Sequence, residues 1–171
     1  LTRLRAVLTL DVKLQARSQL YAIGVGVAVA FGLMLRFLVP AEHAARGLVA
    51  FYLLALGGTT LMFGASLLFL EKGERTLQAL RVSMITSRDY ILSKALTLTT
   101  FALVESAIVF AIASRGVDAN LPLLLLGGGV LGAFYTFLGL ALAAPHDAVT
   151  RFLLPTGAVF GMTLQLPFLY L

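Results

Sequence analysis

Five long apolar runs, almost free of charge, constrain what this chain can fold into. They are residues 18–35, 47–70, 95–114, 119–144 and 152–171, and only the third contains a charged residue, Glu105. About 20 apolar helical residues cross a bilayer core of about 30 Å, so each run is long enough for one span. The runs also lack the polar–apolar alternation of a membrane barrel. The sequence therefore predicts an all-α integral membrane protein with five transmembrane helices.

Composition agrees with this class. Of all residues, 60% are hydrophobic and 12% are charged, whereas a soluble domain carries about 25% charged residues. We find no internal repeat or low-complexity linker and treat residues 1–171 as one domain. The sequence starts at Leu1 and stops inside an apolar run. We expect a C-terminally incomplete domain and a sixth span in the full chain.

The basic residues predict the orientation. Ten of the 13 Lys and Arg residues lie in alternate segments of the chain: four before span one, five between spans two and three, and Arg151 between spans four and five. The other three lie between spans one and two or between spans three and four. Lys and Arg accumulate in cytoplasmic loops. We therefore expect a cytoplasmic N-terminus in a bacterial or archaeal plasma membrane, with anionic lipid headgroups accounting for the net charge of +5.

The N-terminal segment is amphipathic. Leu4, Val7 and Leu8 share one face, and the basic side chains of Arg5 and Lys13 lie opposite, although Asp11 interrupts the pattern. Such a helix lies along a membrane interface. The alternative is a cytosolic extension of span one.

A charged amphipathic segment, residues 71–83, separates spans two and three. On a helix, Thr76, Leu77 and Leu80 gather on one side. Glu71 and Arg75 are spaced for a helical ion pair. The segment is expected to lie on the membrane surface or to dock onto a partner.

Glu105 is the one acid at membrane depth, which makes it a functional candidate. It is expected either to bind a cationic substrate or to be a protonated, hydrogen-bonded carboxyl. Thr97 and Thr100 lie on the same helix and complete a candidate substrate path, although membrane threonines often bond to their own backbone. No catalytic, cofactor-binding or metal site is predicted, because cysteine is absent and the two histidines are far apart.

Small residues predict where the spans pack, because close backbone approach drives helix association in lipid. Span four carries Gly128, Gly132 and Gly139, and span five carries Gly157 and Gly161. Plain helix packing is the simple interpretation. The alternative is that the span-four glycines permit sliding during a transport cycle.

The loop after span two resembles a motif of the ABC-2 family of ATP-binding-cassette permeases. The matching residues are Glu71, Lys72, Gly73, Thr76, Leu77, Leu80 and Ser83, and Tyr90, Leu92 and Lys94 match the beginning of span three. Two departures are visible: Glu74 and Arg75 separate the glycine from the threonine, and Met84 replaces the usual proline. The loop is most similar to permeases of the fluoroquinolone or multidrug export group.

The resemblance implies a single ABC-2 type transmembrane domain in an exporter of an amphiphilic or drug-like substrate. Two permease subunits would pair as a homodimer or heterodimer. Residues 71–83, including Arg75, would form a coupling helix that docks onto a separate ATP-binding subunit. This chain has no phosphate-binding Lys motif, so ATP and Mg²⁺ are expected in the partner and the chain is not an enzyme by itself. The alternatives are a small proton-coupled exporter using Glu105 as its exchangeable acid, and a membrane-embedded enzyme or scaffold.

Overall fold

The computed structural model describes residues 2–74, 76, 85–113 and 120–165. All regular secondary structure within these ranges is helical. The α-helices are α1 Thr2–Arg17, α2 Leu20–Leu38, α3 Ala44–Phe51, α4 Gly57–Gly73, α5 Ser87–Ala113, α6 Leu121–Ala143 and α7 Val149–Gln165. A 3₁₀ turn, Ala41–His43, precedes α3, and a π-helical turn, Tyr52–Leu56, joins α3 to α4.

Four of these helical segments are long and apolar enough to cross a membrane. They are Leu20–Leu38, Ala44–Gly73, Ser87–Ala113 and Leu121–Ala143, and they correspond to the first four predicted spans. The protein is therefore an α-helical membrane protein in its described part. The fifth predicted span falls on α7, where Val149–Met162 forms a shorter apolar helix with Pro155 inside it. Residues 166–171, with Pro167, lie outside the described residues.

A local break in the helix separates the N-terminal segment from span one. Gln19, between α1 and α2, has φ 58°, in the left-handed region that ends a right-handed helix. The hydroxyl of Ser18 donates to the carbonyl of Leu14 at 2.8 Å, which satisfies one acceptor at the end of α1. The helix then packs against α2 and the first half of α5.

Span two contains a π-helical turn that the sequence did not predict. The backbone N–H of Gly57 donates to the carbonyl of Tyr52, five residues earlier, in place of the usual four. A π-helical turn holds one residue more than an α-helical turn and often marks a functional region. Here it separates the α3 half of the span from the α4 half, which carries Glu71 at its end.

The bundle is held by apolar cores on both sides of α5 and α6. One core joins α2, α3, the π-helical turn and α5 around Phe51, Leu56 and Val109. Another joins α4, α6 and α7 around Leu61 and Phe152. The N-terminal helix α1 contacts α5 and α2, and α5 in turn contacts α2, α4 and α6, so α5 connects α1 to most of the bundle.

Candidate functional site

A buried ionic cluster joins α1, α4 and α5 at the end of the bundle where α1 lies. The Nζ atom of Lys94 is 2.9 Å from Oδ1 of Asp11 and 2.7 Å from Oε1 of Glu71. All three residues are at most 1% exposed. Removing charges from water is costly unless they are paired and hydrogen-bonded, so both carboxylates depend on the one ammonium that they share. We call this set, with its hydrogen-bonding partners Ser93 and Tyr90, the Lys94 cluster.

Both carboxylates of the Lys94 cluster have their remaining oxygens occupied. The hydroxyl of Ser93 donates to Oδ2 of Asp11 at 2.5 Å, and the hydroxyl of Tyr90 donates to Oε2 of Glu71. The ammonium of Lys94 also lies 4.7 Å from the centre of the Tyr90 ring, within the range of a cation–π contact. The cluster therefore fixes the end of α4 to α1 and α5 by direct, fully satisfied contacts.

A second set of polar contacts extends the junction along α1 and α5. The amide of Gln15 donates to the hydroxyl of Thr97 at 2.8 Å, and the hydroxyl of Tyr21 donates to the Gln15 amide oxygen at 2.7 Å. Gln15 and Thr97 each lie four residues beyond Asp11 and Ser93, which meet in the same way. The two helices are therefore parallel where they touch, and their polar residues form contacts at successive helical turns.

Lys72 ties the end of α4 to the end of α6. Its Nζ atom donates to the carbonyl oxygens of Ala143 at 3.2 Å, Ala144 at 2.9 Å and His146 at 2.6 Å. These groups lie at or just beyond the C-terminus of α6, where helical carbonyls lack intrahelical partners and a positive charge is favoured. Two consecutive residues thus anchor α4 in different directions, Glu71 toward α1 and α5 and Lys72 toward α6.

The structure corrects the predicted position of Glu71. Glu71, Lys72 and Gly73 form the last turn of α4 and do not open a separate amphipathic helix. Glu71 pairs with Lys94, a partner that the sequence analysis did not consider, and its carboxylate is buried. Thr76 is helical and half-buried. The remaining predicted coupling residues lie outside the described residues: Arg75, Leu77, Leu80 and Ser83.

Glu105 lies deep in α5 and is 2% exposed. The hydroxyl of Thr59 on α4 is 3.3 Å from its Oε2 atom, and the same hydroxyl is 3.1 Å from the carbonyl of Leu56, to which it can donate instead. Oε1 has no hydrogen-bonding partner among the described residues. It packs against Gly24 of α2, where an added Cβ would collide with both Oε1 and the ring of Phe101.

A groove of about 410 Å³ opens on the side of the bundle between α1, α2 and α5. Leu8 and Val12 line it from α1 and Tyr21 lines it from α2. From α5 come five residues between Leu96 and Val104. The outer part of this wall is exposed, since Leu96 and Val104 each show nearly half of their surface. In a membrane protein such a groove is open to lipid.

Two of the predicted path residues, Thr97 and Thr100, line this groove, while Glu105 is not among its lining residues. Thr100 donates to the carbonyl of Leu96 at 2.7 Å, the local bond that membrane threonines commonly make. Thr97 makes local bonds as well, in addition to its contact with Gln15. Both hydroxyls are satisfied within the protein, so the groove wall is apolar in character.

The predicted packing glycines of span four lie at helix contacts. Gly128 and Gly132 face α5, and a Cβ at Gly132 would lie 2.7 Å from Cβ of Ala102. A Cβ at Gly139 would collide with the backbone carbonyl of Leu61 on α4. Glycine at these positions permits the close approach of α6 to its two neighbours.

The other predicted pair, Gly157 and Gly161 on α7, faces open space. A Cβ at either position would meet no atom of the described residues within 4 Å. Packing through this pair stays a prediction, since it requires a partner other than the described part of this chain.

Sequence reasoning missed Asp11, Gln15 and the role of Lys94. Asp11 was treated as an interruption of an apolar face, but with Val7 and Gln15 it forms the face that packs inward. A signal was present: Asp11 and Gln15 are four residues apart, as are Tyr90 and Lys94. Polar pairs at this spacing lie on one helix face, which is typical of a buried polar seam as well as of a solvated surface.

Comparisons with protein-family models, with curated proteins and with solved structures found no match. Within the described ranges, no group of three or more His, Asp or Glu side chains is placed to hold a metal ion. The Lys94 cluster, Lys72, Glu105 and the groove are the features of the described residues from which a function can be inferred.

Proposed function

We propose that this chain is the membrane-spanning permease subunit of an ATP-binding-cassette exporter. It would move an amphiphilic or drug-like substrate across the plasma membrane of a bacterium or archaeon. ATP and Mg²⁺ would be bound by a separate nucleotide-binding subunit, and a second permease subunit would complete the transporter. The N-terminus and residues 71–83 would face the cytoplasm. The motif in residues 71–83 and the order of helices support this assignment.

The observation that carries the proposal is the anchoring of the end of α4. Glu71 is bonded to Lys94 on α5, which also holds Asp11 on α1. The adjacent Lys72 is bonded to three carbonyls at the end of α6. The segment predicted to dock onto the ATPase therefore begins directly after contacts with three other helices.

This anchoring suits a part that transmits force. Protein interiors are densely packed and transmit strain, and a buried, fully bonded ionic cluster adds fixed distances between helices. A push on residues 71–83 would thus move α1, α4, α5 and α6 together, in place of bending a loop. A surface loop without a partner needs no such buried connections.

The test is co-purification with an ATP-binding-cassette ATPase, which the proposal expects to be encoded by a reading frame beside that of this chain. Tagged permease co-expressed with that ATPase should retain it, and the double variant Leu77→Asp, Leu80→Asp should lose it, because a charge replaces the apolar side of the docking helix. The matched control is Leu77→Met, Leu80→Met, which keeps volume and apolarity and should retain the ATPase. Equal recovery with all three permeases would contradict the proposed docking role.

A second candidate function, a proton-coupled exporter, is favoured by the state of Glu105. A buried carboxyl with one oxygen lacking a donor is a group that can exchange a proton during a transport cycle. The discriminating measurement is transport into inverted vesicles. Uptake that follows an imposed pH gradient, ignores ATP and is lost in Glu105→Gln would select this function over the ATP-driven one.

A further inference from the structure

We propose that the groove between α1, α2 and α5, together with Glu105 behind it, forms a binding site for a lipophilic organic cation. The inference rests on the proposed function as an exporter and deepens it by naming the class of substrate. It follows from the groove's apolar wall, the aromatic rings at its base and the unpaired carboxylate oxygen beyond them.

The groove selects for a hydrophobic ligand. Leu8 and Val12 form one wall and Leu96 and Val104 the other. The hydroxyl of Thr100 in this wall is already bonded within the protein. A polar solute entering from the lipid would gain no new hydrogen bonds here, whereas an apolar surface would be covered on three sides.

Aromatic rings separate the groove from Glu105. The ring of Phe101 lies 5.0 Å from that of Tyr21 in an edge-to-face contact and 6.2 Å from that of Phe63, measured between ring centres. Phe101 and Glu105 are one helical turn apart on α5, and both press on Gly24. Oε1 of Glu105 therefore lies beside the ring of Phe101, which lines the groove, and the proposal requires this ring to turn away from Gly24 before a bound cation can meet the carboxylate.

The chemistry at the base of the groove favours a positive charge. Aromatic faces attract cations, most strongly where water is excluded. The unpaired Oε1 atom of Glu105 supplies a counter-charge in the same region. A Ca²⁺ or Mg²⁺ ion needs about six oxygen ligands, and at Glu105 the hydroxyl of Thr59 is the one side-chain oxygen that the structure places nearby. An organic cation needs a single counter-charge and an apolar surrounding, and both are present.

The experiment measures binding of tetraphenylphosphonium to the purified permease in detergent micelles by equilibrium dialysis, with tetraphenylborate as an anion of the same size and shape. The wild-type chain should bind the cation in preference to the anion. Glu105→Gln should raise the Kd for the cation by about tenfold or more, since removing one partner of a buried charge pair is costly. Glu105→Asp should retain part of the affinity. The matched control Glu42→Gln, at an exposed carboxylate, should bind as the wild type does.

A second variant keeps the test independent of the fold around Glu105. Thr100→Trp places a large side chain in the exposed part of the groove and should weaken cation binding although Glu105 is unchanged. Equal binding by wild type, Glu105→Gln and Thr100→Trp would overturn the site, as would equal binding of the cation and the anion.

The pH dependence gives a further readout. A proton and the cation compete for the same carboxylate, so binding should tighten as pH rises and this dependence should vanish in Glu105→Gln. Among the described residues, Gly24 on α2 and Thr59 on α4 contact Glu105. Along α5, Lys94 lies eleven residues earlier, and Arg36 bonds to the carbonyl of Ile112, seven residues later. A pH dependence unchanged in Glu105→Gln would overturn the assignment to this carboxylate.

The binding assay needs no ATPase, which separates this inference from the proposed function. If the ATPase co-purifies but the cation does not bind, the site is wrong and the subunit assignment stands. If the cation binds as expected and no ATPase is recovered, the site stands and another energy source drives the exporter.

Discussion

At the scale of residues, the sharing of one ammonium by two carboxylates is the feature with the clearest energetic consequence. Lys94 is completely buried and offers its charge to Asp11 and Glu71 at once. The ammonium compensates the buried charge of both carboxylates, which would otherwise repel each other. Removing the lysine would leave two negative charges facing each other without compensation.

We therefore expect Lys94→Met to lower the free energy of unfolding by about 3–5 kcal/mol, the usual cost of breaking a buried ion pair from one side. The measurement is unfolding in mixed micelles followed by circular dichroism. The control is Lys13→Met at an exposed position of α1, which should change little. Adding Asp11→Asn and Glu71→Gln to Lys94→Met should recover part of the loss, because no buried charge remains. A loss below about 1 kcal/mol in the single variant would show that the cluster is not needed for stability.

Sequence patterns predicted four of the spans and missed the polar contacts, for a physical reason that these residues illustrate. A run of about 20 apolar residues is stable only away from water, so the burial of residues such as Leu61 and Ala102 can be inferred from the residues next to them in the sequence. The environment of Glu71 depends on Lys94, 23 residues later, and on Asp11, 60 residues earlier. A charge beside an apolar run reads as solvent-facing unless its distant partner is known, which is why Glu71 was expected at the start of an exposed helix.

At the scale of elements, α6 is packed more closely than α7. Gly139 of α6 touches the backbone of α4, whereas Gly157 of α7 faces open space. These two glycines allow the same substitution to be compared in a tight and an open environment.

Gly139→Ala should destabilise the protein by about 1–3 kcal/mol, because its methyl group meets a backbone carbonyl that cannot move aside without shifting α4. Gly157→Ala should be neutral or stabilising by up to about 1 kcal/mol, since alanine favours the helix over glycine. Unfolding midpoints of both variants in the same micelles provide the measurement. Equal loss in both would mean that Gly157 is also packed, as a permease dimer formed through α7 would require.

At the scale of the whole molecule, the packing of α1 on the beginning of α5 fixes which segments share one side of the membrane. Asp11 meets Ser93 and Lys94, so α1 lies at the end of the bundle where α5 begins. The turn after α2 lies at the other end of span one. Charge distribution alone then decides which end is cytoplasmic.

Single cysteines on this cysteine-free chain test the arrangement. Cysteines at Thr9 and Ser87 should react with an impermeant maleimide from the same side, and a cysteine at Glu42 should react from the opposite side; all three positions are exposed. In intact cells we expect Glu42→Cys to be labelled and the other two to require permeabilised cells. Labelling of Thr9→Cys in intact cells would contradict the cytoplasmic N-terminus.

The π-helical turn Tyr52–Leu56 makes span two tolerant of a change in length at one place. A wide turn absorbs one surplus residue while leaving the faces on either side aligned, so deleting the half-exposed Leu54 would return the turn to a regular α-helix with both flanks still facing their neighbours. The same deletion beyond Gly57 would rotate everything after it by about 100°. Glu71 would then swing away from Lys94, and the anchored end of α4 would be lost. Single-residue deletions in span two that preserve the fold are therefore expected to fall within those five residues, and a scan of single-residue deletions assayed for folded protein would test this.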